Sequence, residues 1–595
     1  MSESQSEGNS ADNFTRRKFL QSIALAGAAG ASGLALAGTL IPPARAAPSD
    51  ADVARYIIVN EPPNVTAYYG NTGTFDKRDP DPATVIQYAI DNIQNRPGAI
   101  VFIKKDSYQI TTPIELKNGV RLYSDGALLY TLGTESIWSS YPGSGHRGIL
   151  QTSNISDVIV EGLKLDARGN ACAFTSFGHS NLRFHNCDFT STTSSGPFGG
   201  LLNFDGQASF GISNMKQTIF DSCYFHDTPA VMGRAFHLYP SNGFVVDGFW
   251  VEKCTFENVG GNAINLDAYD LCKDIHIVNN RFLNLTQPTG GYASAVFGGL
   301  AVPDKVYNLK VIGNYYLNTL NNIQQVFVAV YSSHDIQIIG NTARALGTGG
   351  SGACFAPGRV NNPDTDLLIQ GNYVEGFDAF WDPDSMVRAE VSGNTVVNSG
   401  QGISTGYGTQ QFVHIHDNTL YNSFNSTTYP VFLLMGATDP LPPLKVLVER
   451  NLYVDDRTTS PVTYAIELTG GGNFGDVIVR HNRFYLPNKA FTRFIKLENQ
   501  TEVLPRQLLN NERHDSLGVK FVEGVAPIPV TASPFTYVNT DSVPEAVYIF
   551  GGSVNQVAKN SINLFTNTNV TVWLEPDESV TVSYSTTPSM AKDRK

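Results

Sequence analysis

Three short words in this chain, Asn203-Phe204-Asp205, His237-Leu238-Tyr239 and Asn265-Leu266-Asp267, each set two polar side chains either side of an apolar one. If each word is a β-strand, alternation sends the apolar residue inward and both polar ones out to solvent. Glycoside hydrolysis needs two carboxyl groups. One protonates the leaving oxygen and the other activates water or attacks the sugar. Asp205 and Asp267 hold equivalent places, so if the words stack as consecutive strands their backbones lie roughly 9.6 Å apart. Side-chain leaning brings such a pair into the ~6.5–9.5 Å range of inverting enzymes, whereas the ~5–5.5 Å retaining separation suits adjacent strands. His237, between them, could tune an aspartate, bind substrate or move a proton itself. Asn203, Tyr239 and Asn265 are substrate-binding candidates, and Arg234, Asp227 and Asp270 flank the words as second-line ones. The other readings are a surface histidine and solvated or calcium-binding aspartates. Calcium aside, no cofactor or metal is expected.

The elements that must position these words repeat. Eleven times an alternating apolar strand runs into an Asn or Cys, followed two positions on by an apolar or aromatic residue. The anchors are Cys187, Cys223, Cys254, Asn280, Asn314, Asn341, Asn372, Asn394, Asn418, Asn451 and Asn482, with spacings of 22 to 36 residues. Such periods mean a solenoid. Ile275-His276-Ile277-Val278 and Ile336-Gln337-Ile338-Ile339 show strand periodicity, and Gly, Asn, Thr and Pro break every unit before a helix could form. Three strands per unit make one turn of a parallel β-helix. Asn suits the anchor because it tolerates left-handed backbone and can hydrogen-bond the Asn of the next rung.

The third strand of each rung aligns on apolar pairs: Leu202/Phe204, Phe236/Leu238, Ile264/Leu266, Val296/Gly298, Phe327/Ala329, Cys354/Ala356, Phe380/Asp382 and so on to Ile495/Leu497. After the three polar rungs the outward positions become Phe297, Val328, Phe355 and Trp381, a largely apolar surface. Phe297, Phe355 and Trp381 could stack on sugar rings, or lie under a covering loop or the interface of a homo-oligomer such as a trimer. Asp382 breaks the inward pattern, which means a register shift or a rung bent open.

From Ala83 to Leu517 the chain resembles the pectin-lyase-like right-handed parallel β-helices, the superfamily of polygalacturonases and pectate lyases. Asp81-Pro82-Ala83-Thr84 opens a helix with Ile86, Ala89, Ile90 and Ile93 on one face. Ala99 to Ile103, Tyr108-Gln109-Ile110 and Pro113 to Leu116 follow, like that family's capping helix and first rungs. Asn203-Phe204-Asp205-Gly206 is similar to the Asn-Thr-Asp of polygalacturonases. Their paired aspartates on the next rung are replaced here by His237-Leu238-Tyr239, and their Gly-His-Gly and Arg-Ile-Lys elements have no counterpart. The resemblance implies where a site lies more than what it cleaves.

Thr15-Arg16-Arg17-Lys18-Phe19-Leu20, the Gly/Ala-rich run Ile23 to Ile41 and Ala44-Arg45-Ala46 resemble a twin-arginine signal peptide over residues 1–47, which implies a secreted or periplasmic protein. No other segment is long and apolar enough to span a membrane. The expected division is 48–150 for the capping helix and first rungs, 151–517 for the catalytic β-helix, and 526–590 for a small antiparallel β-domain read from strands such as Val547-Tyr548-Ile549-Phe550. That domain resembles tail domains of some β-helical glycan-active proteins; a plain cap over the last rung is the other reading. The net charge of −13 makes nucleic acid an unsuitable partner. The six Cys are expected as free buried thiols, with Cys272 alone in a loop and neither a disulfide framework nor zinc spacing.

These features predict an exported enzyme that cleaves glycosidic bonds in a polysaccharide or oligosaccharide, foremost as an inverting hydrolase using Asp205 and Asp267 with His237. A lyase would use His237 and Tyr239 as base and acid, with Asn203 and Asn265 on the uronate. An intramolecular glycosyl transferase of the same fold and a non-catalytic glycan-binding surface protein are the remaining alternatives.

Overall fold

Short apolar alternations, cut every few residues by Asn, Asp or Gly, leave room for strands and tight corners. The computed structural model describes most of residues 54–594; the longest stretches outside the description are 1–53, 140–146, 192–200, 206–213, 358–364, 436–443 and 498–505. The expected signal peptide, residues 1–47, therefore lies outside the described residues.

The strands form a right-handed parallel β-helix. One face is a 16-stranded sheet, and a 30-stranded sheet makes the other two. The strands Gly148–Glu161 and Cys172–His185 carry the chain round the corner between those two faces. Helix Pro82–Ile93 precedes the first rungs with its buried side formed by Val85, Ile86, Ala89, Ile90 and Ile93. Asp81 caps it by accepting from the backbone N–H groups of Ala83 and Thr84. Three antiparallel strands, Tyr56–Glu61, Asn64–Tyr69 and Phe75–Asp79, come before it. Sequence reading had not found them.

Stacking of like on like fills the interior. Phe184 lies on Phe220 at 4.8 Å, Phe189 on Phe225 at 4.9 Å, Phe225 on Phe256 at 4.8 Å and Phe256 on Phe282 at 4.7 Å, all nearly parallel. These distances equal the strand spacing, so each ring covers the ring one rung below.

The anchors form a buried hydrogen-bonded ladder. Asn341 is typical: its Oδ1 accepts from the backbone N and Nδ2 of Asn314, both at 2.9 Å, while its Nδ2 donates to Val311 O at 2.8 Å and Asn372 Oδ1 at 2.9 Å. Cysteine fills the same slot with one sulfur. Cys254 Sγ accepts from the Cys223 backbone N at 3.4 Å and donates to Phe220 O at 3.5 Å. Burial pushes the Cys187 and Cys223 thiols up, so they stay protonated and able to donate. A further anchor, Asn511, accepts from both nitrogens of Asn482.

Two expectations change here. Left-handed backbone sits one residue before the anchor: Asn186, Ser222, Lys253, Asn279, Asp417, Arg450 and His481 have φ of 51 to 58°, and Gly313, Gly340, Gly371 and Gly393 have 63 to 66°. The anchor amide is there for its hydrogen bonds alone. Cys272 is also no loop residue. It opens strand Cys272–Val278 and is buried, as are the other five cysteines, all free.

Residues 526–594 make two four-stranded antiparallel sheets with a separate apolar core. No helix among the described residues is long and apolar enough to cross a membrane.

Candidate active site

The three words lie on strands Leu202–Asp205, Phe236–Tyr239 and Asn262–Leu266, with Asp267 one residue past the last, paired in parallel with Asn203 beside His237 and His237 beside Asn265. Phe204, Leu238 and Leu266 are buried in the interior, and alternation sends the polar residues to the outer face. The Asp205 backbone pairs with Tyr239. Its side chain lies outside the described residues.

His237 is the centre of what is described. Its Nδ1 donates to Asn203 Oδ1 at 3.3 Å, and its Nε2 stands 3.7 Å from Asp267 Oδ2, too long for a hydrogen bond but close enough for strong attraction to an imidazolium. The Tyr239 ring is 5.4 Å from the imidazole, centre to centre. Although its position faces outward, His237 is only 8% exposed, and Asn203 and Asn265 are buried further. His237 Nε2 and Asn265 Oδ1 are buried without a hydrogen-bond partner among the described residues.

Burial pushes the His237 pKa below the ordinary imidazole value; Asp267 opposes that shift and the Arg234 charge adds to it. The neighbouring imidazole, with Arg234 contributing, holds the Asp267 carboxyl below the usual carboxylate range against the effect of burial. Burial lowers the Arg234 guanidinium pKa while Asp267 raises it. The site near neutral pH is therefore a neutral histidine beside an ionised aspartate, with the half-buried Arg234 cation acting on both.

Other candidates fall elsewhere. Asp270 Oδ2 accepts from the Gly243 backbone N at 2.6 Å and its own N donates to Pro240 O, so it ties the turn after the His237 strand. Asp227 follows a strand of the 16-stranded sheet, where it bonds His226 and Asn258.

The aromatic platform is corrected. Phe297 pairs with Asn265 on one side and Ala329 on the other, half-buried on the outer face with its ring 6.0 Å from that of Tyr331. Val328, however, pairs with Val296 and with Phe355, and Phe355 with Trp381. These continue the inward column of Leu202, Phe236 and Ile264, and both Phe355 and Trp381 are fully buried. The expected register is off by one residue at Phe327, Cys354 and Phe380 because these strand residues, each one position before the inward one, are buried too. Of the two explanations for Asp382, the pairing supports the register shift; Asp382 itself lies outside the described residues.

Upstream, sequence reading missed a polar continuation. Thr175 pairs with Asn203, Gln151 with Thr175 and Glu115 with Gln151, each flanked by inward residues, and Gln151 Nε2 donates to Glu115 Oε1. The signal was present in Ile114-Glu115-Leu116 and Phe174-Thr175-Ser176, ahead of the first anchor. Among the described residues no three His, Cys, Asp or Glu side chains converge on a metal position.

No protein-family profile and no curated sequence matches the chain. Among solved structures, the tailspike protein of E. coli bacteriophage HK620 in complex with a pentasaccharide is similar over 88% of this chain and 92% of its own, at 11% identity and a TM-score of 0.41. An Azotobacter vinelandii mannuronan C-5 epimerase A-module is similar over 72% and 94%, at 14% identity and 0.28. PfbA, a surface adhesin of Streptococcus pneumoniae, is similar over 64% and 90%, at 11% identity and 0.28. Likenesses this distant decide no activity, and the β-helix is established by the strand pairing itself.

Proposed function

We propose that this chain is an exported carbohydrate-active enzyme of the pectin-lyase-like β-helix superfamily that breaks a uronate-containing polysaccharide by β-elimination at His237. One observation carries the reading: a buried, neutral histidine is fixed by Asn203 through Nδ1, and among the described residues its Nε2 has no hydrogen-bond partner beside an ionised Asp267. Nε2 then holds the lone pair that would take the proton from C5 of a uronate brought against it. The imidazolium so formed is stabilised by Asp267, and the carbanion by the Arg234 charge next to the uronate carboxylate. Tyr239 donates a proton to the departing glycosidic oxygen, leaving a C4–C5 double bond on one fragment and a hydroxyl on the other.

The inverting hydrolase with Asp205 and Asp267 stays as the second reading, because Asp267 is held ionised as a general base must be. One experiment separates them. Purified protein is offered polygalacturonate, alginate and neutral glycans while ultraviolet absorbance, reducing ends and product masses are followed. Elimination gives absorbance from the new double bond, and His237→Ala removes it. Reducing ends without absorbance, lost by ~10²-fold or more in Asp205→Asn and Asp267→Asn, would establish the hydrolase. Binding without either product identifies a glycan-binding surface protein.

A further inference from the structure

The first C-terminal sheet has strands Ala526–Ile528, Ser589–Arg594, Glu545–Phe550 and Val570–Leu574 in that order. Val547, Ile549, Val572, Leu574 and Met590 point into the core between the two sheets. Alternation therefore turns Ala546, Tyr548, Phe550, Thr571, Trp573 and Asp593 to the opposite face. The register sets Trp573, Ala546 and Asp593 in one row, and Thr571, Tyr548 and Ala591 in the next. Trp573 is 44% and Phe550 46% exposed. The Tyr548 hydroxyl donates to Asp593 Oδ2 at 3.3 Å, which orients the carboxylate beside the rings.

We propose that this face is a second carbohydrate-binding site, for a neutral polysaccharide. A pyranose ring offers flat C–H faces edged by hydroxyls. Trp573 and Phe550 supply exposed aromatic surface for the C–H faces, over a fully buried Ala546. Asp593 and Thr571 lie where ring hydroxyls need acceptors and donors. An apolar protein partner would desolvate that carboxylate and hydroxyl without replacing their hydrogen bonds, whereas a glycan brings a hydroxyl to each. The negative charge of Asp593 disfavours a polyuronate. The site thus takes a polymer different from the one proposed for His237, and it stands without that reading.

The test is affinity electrophoresis of the full chain through gels carrying hydroxyethylcellulose, xylan, galactomannan or laminarin, with polygalacturonate as the acidic control. At least one neutral polymer should retard the parent. Trp573→Ala should weaken that retardation at least about tenfold and Trp573→Phe should partly restore it, with unchanged thermal midpoint. Failure of all four neutral polymers to retard the parent overturns the proposal, as does equal retardation of Trp573→Ala. So does dissociation of an oligomer by Trp573→Ala, since a second copy would then cover the face.

Discussion

His237 is where residue-level chemistry can be tested by pH. Burial depresses its pKa, Asp267 partly restores it and Arg234 depresses it further. A base works when deprotonated, so kcat/KM should rise with pH through this group, along an acid limb below the ordinary imidazole value of about 6.5. Asp267→Asn removes the charge that favours the imidazolium, so the limb should move to lower pH while turnover falls. Arg234→Gln should move it to higher pH. A limb that neither substitution shifts would detach His237 from the rate. Folding follows the same sign: a depressed histidine pKa favours the fold above about pH 6.5, and that contribution fades as pH falls through the depressed value. The nearness of His237 and Asp267 was legible because strand alternation puts the polar positions of neighbouring words on one outer face. Its electrostatics were not, since burial of an outward-facing residue depends on what surrounds it and no local spacing reports that.

At the scale of the element, the ladder was legible and the register only partly so. An anchor is one polar residue at a fixed offset from a strand, and nothing else in a rung imitates it. The third strand is different: Phe327 and Val328, Cys354 and Phe355, Phe380 and Trp381 are consecutive buried residues, so two alignments one residue apart look equally apolar. The ladder also supplies a prediction. Asn341→Leu leaves the Asn314 backbone N–H and the Val311 carbonyl without their side-chain partner, which should cost at least ~1–3 kcal/mol in chemical denaturation. Cys254→Asn should be far milder than Cys254→Leu, because the amide can make both bonds the thiol now makes. Equal stability of Asn341→Leu and the parent would remove the ladder from the account of stability.

For the whole molecule, the cysteines bear on the proposed export of the chain. All six are free and buried, and three of them carry the ladder across Cys187, Cys223 and Cys254. A thiol that must donate to a carbonyl inside a solenoid has to be reduced when the rungs stack, and a reducing cytoplasm ensures that. A chain exported unfolded into an oxidising compartment would expose six thiols to pairing before any rung could bury them. Export after folding avoids this, which is the route that Arg16-Arg17, ahead of the apolar run Ile23 to Ile41, predicts. Changing Arg16 and Arg17 together to Lys should hold the precursor in the cytoplasm, folded and with six titratable thiols after denaturation, as read by fractionation and thiol counting. Replacing residues 1–46 with a signal for unfolded export should instead give protein with fewer free thiols and lower yield. Normal export of the doubly substituted precursor would overturn the twin-arginine reading, and six free thiols after unfolded export would remove the reason offered for it.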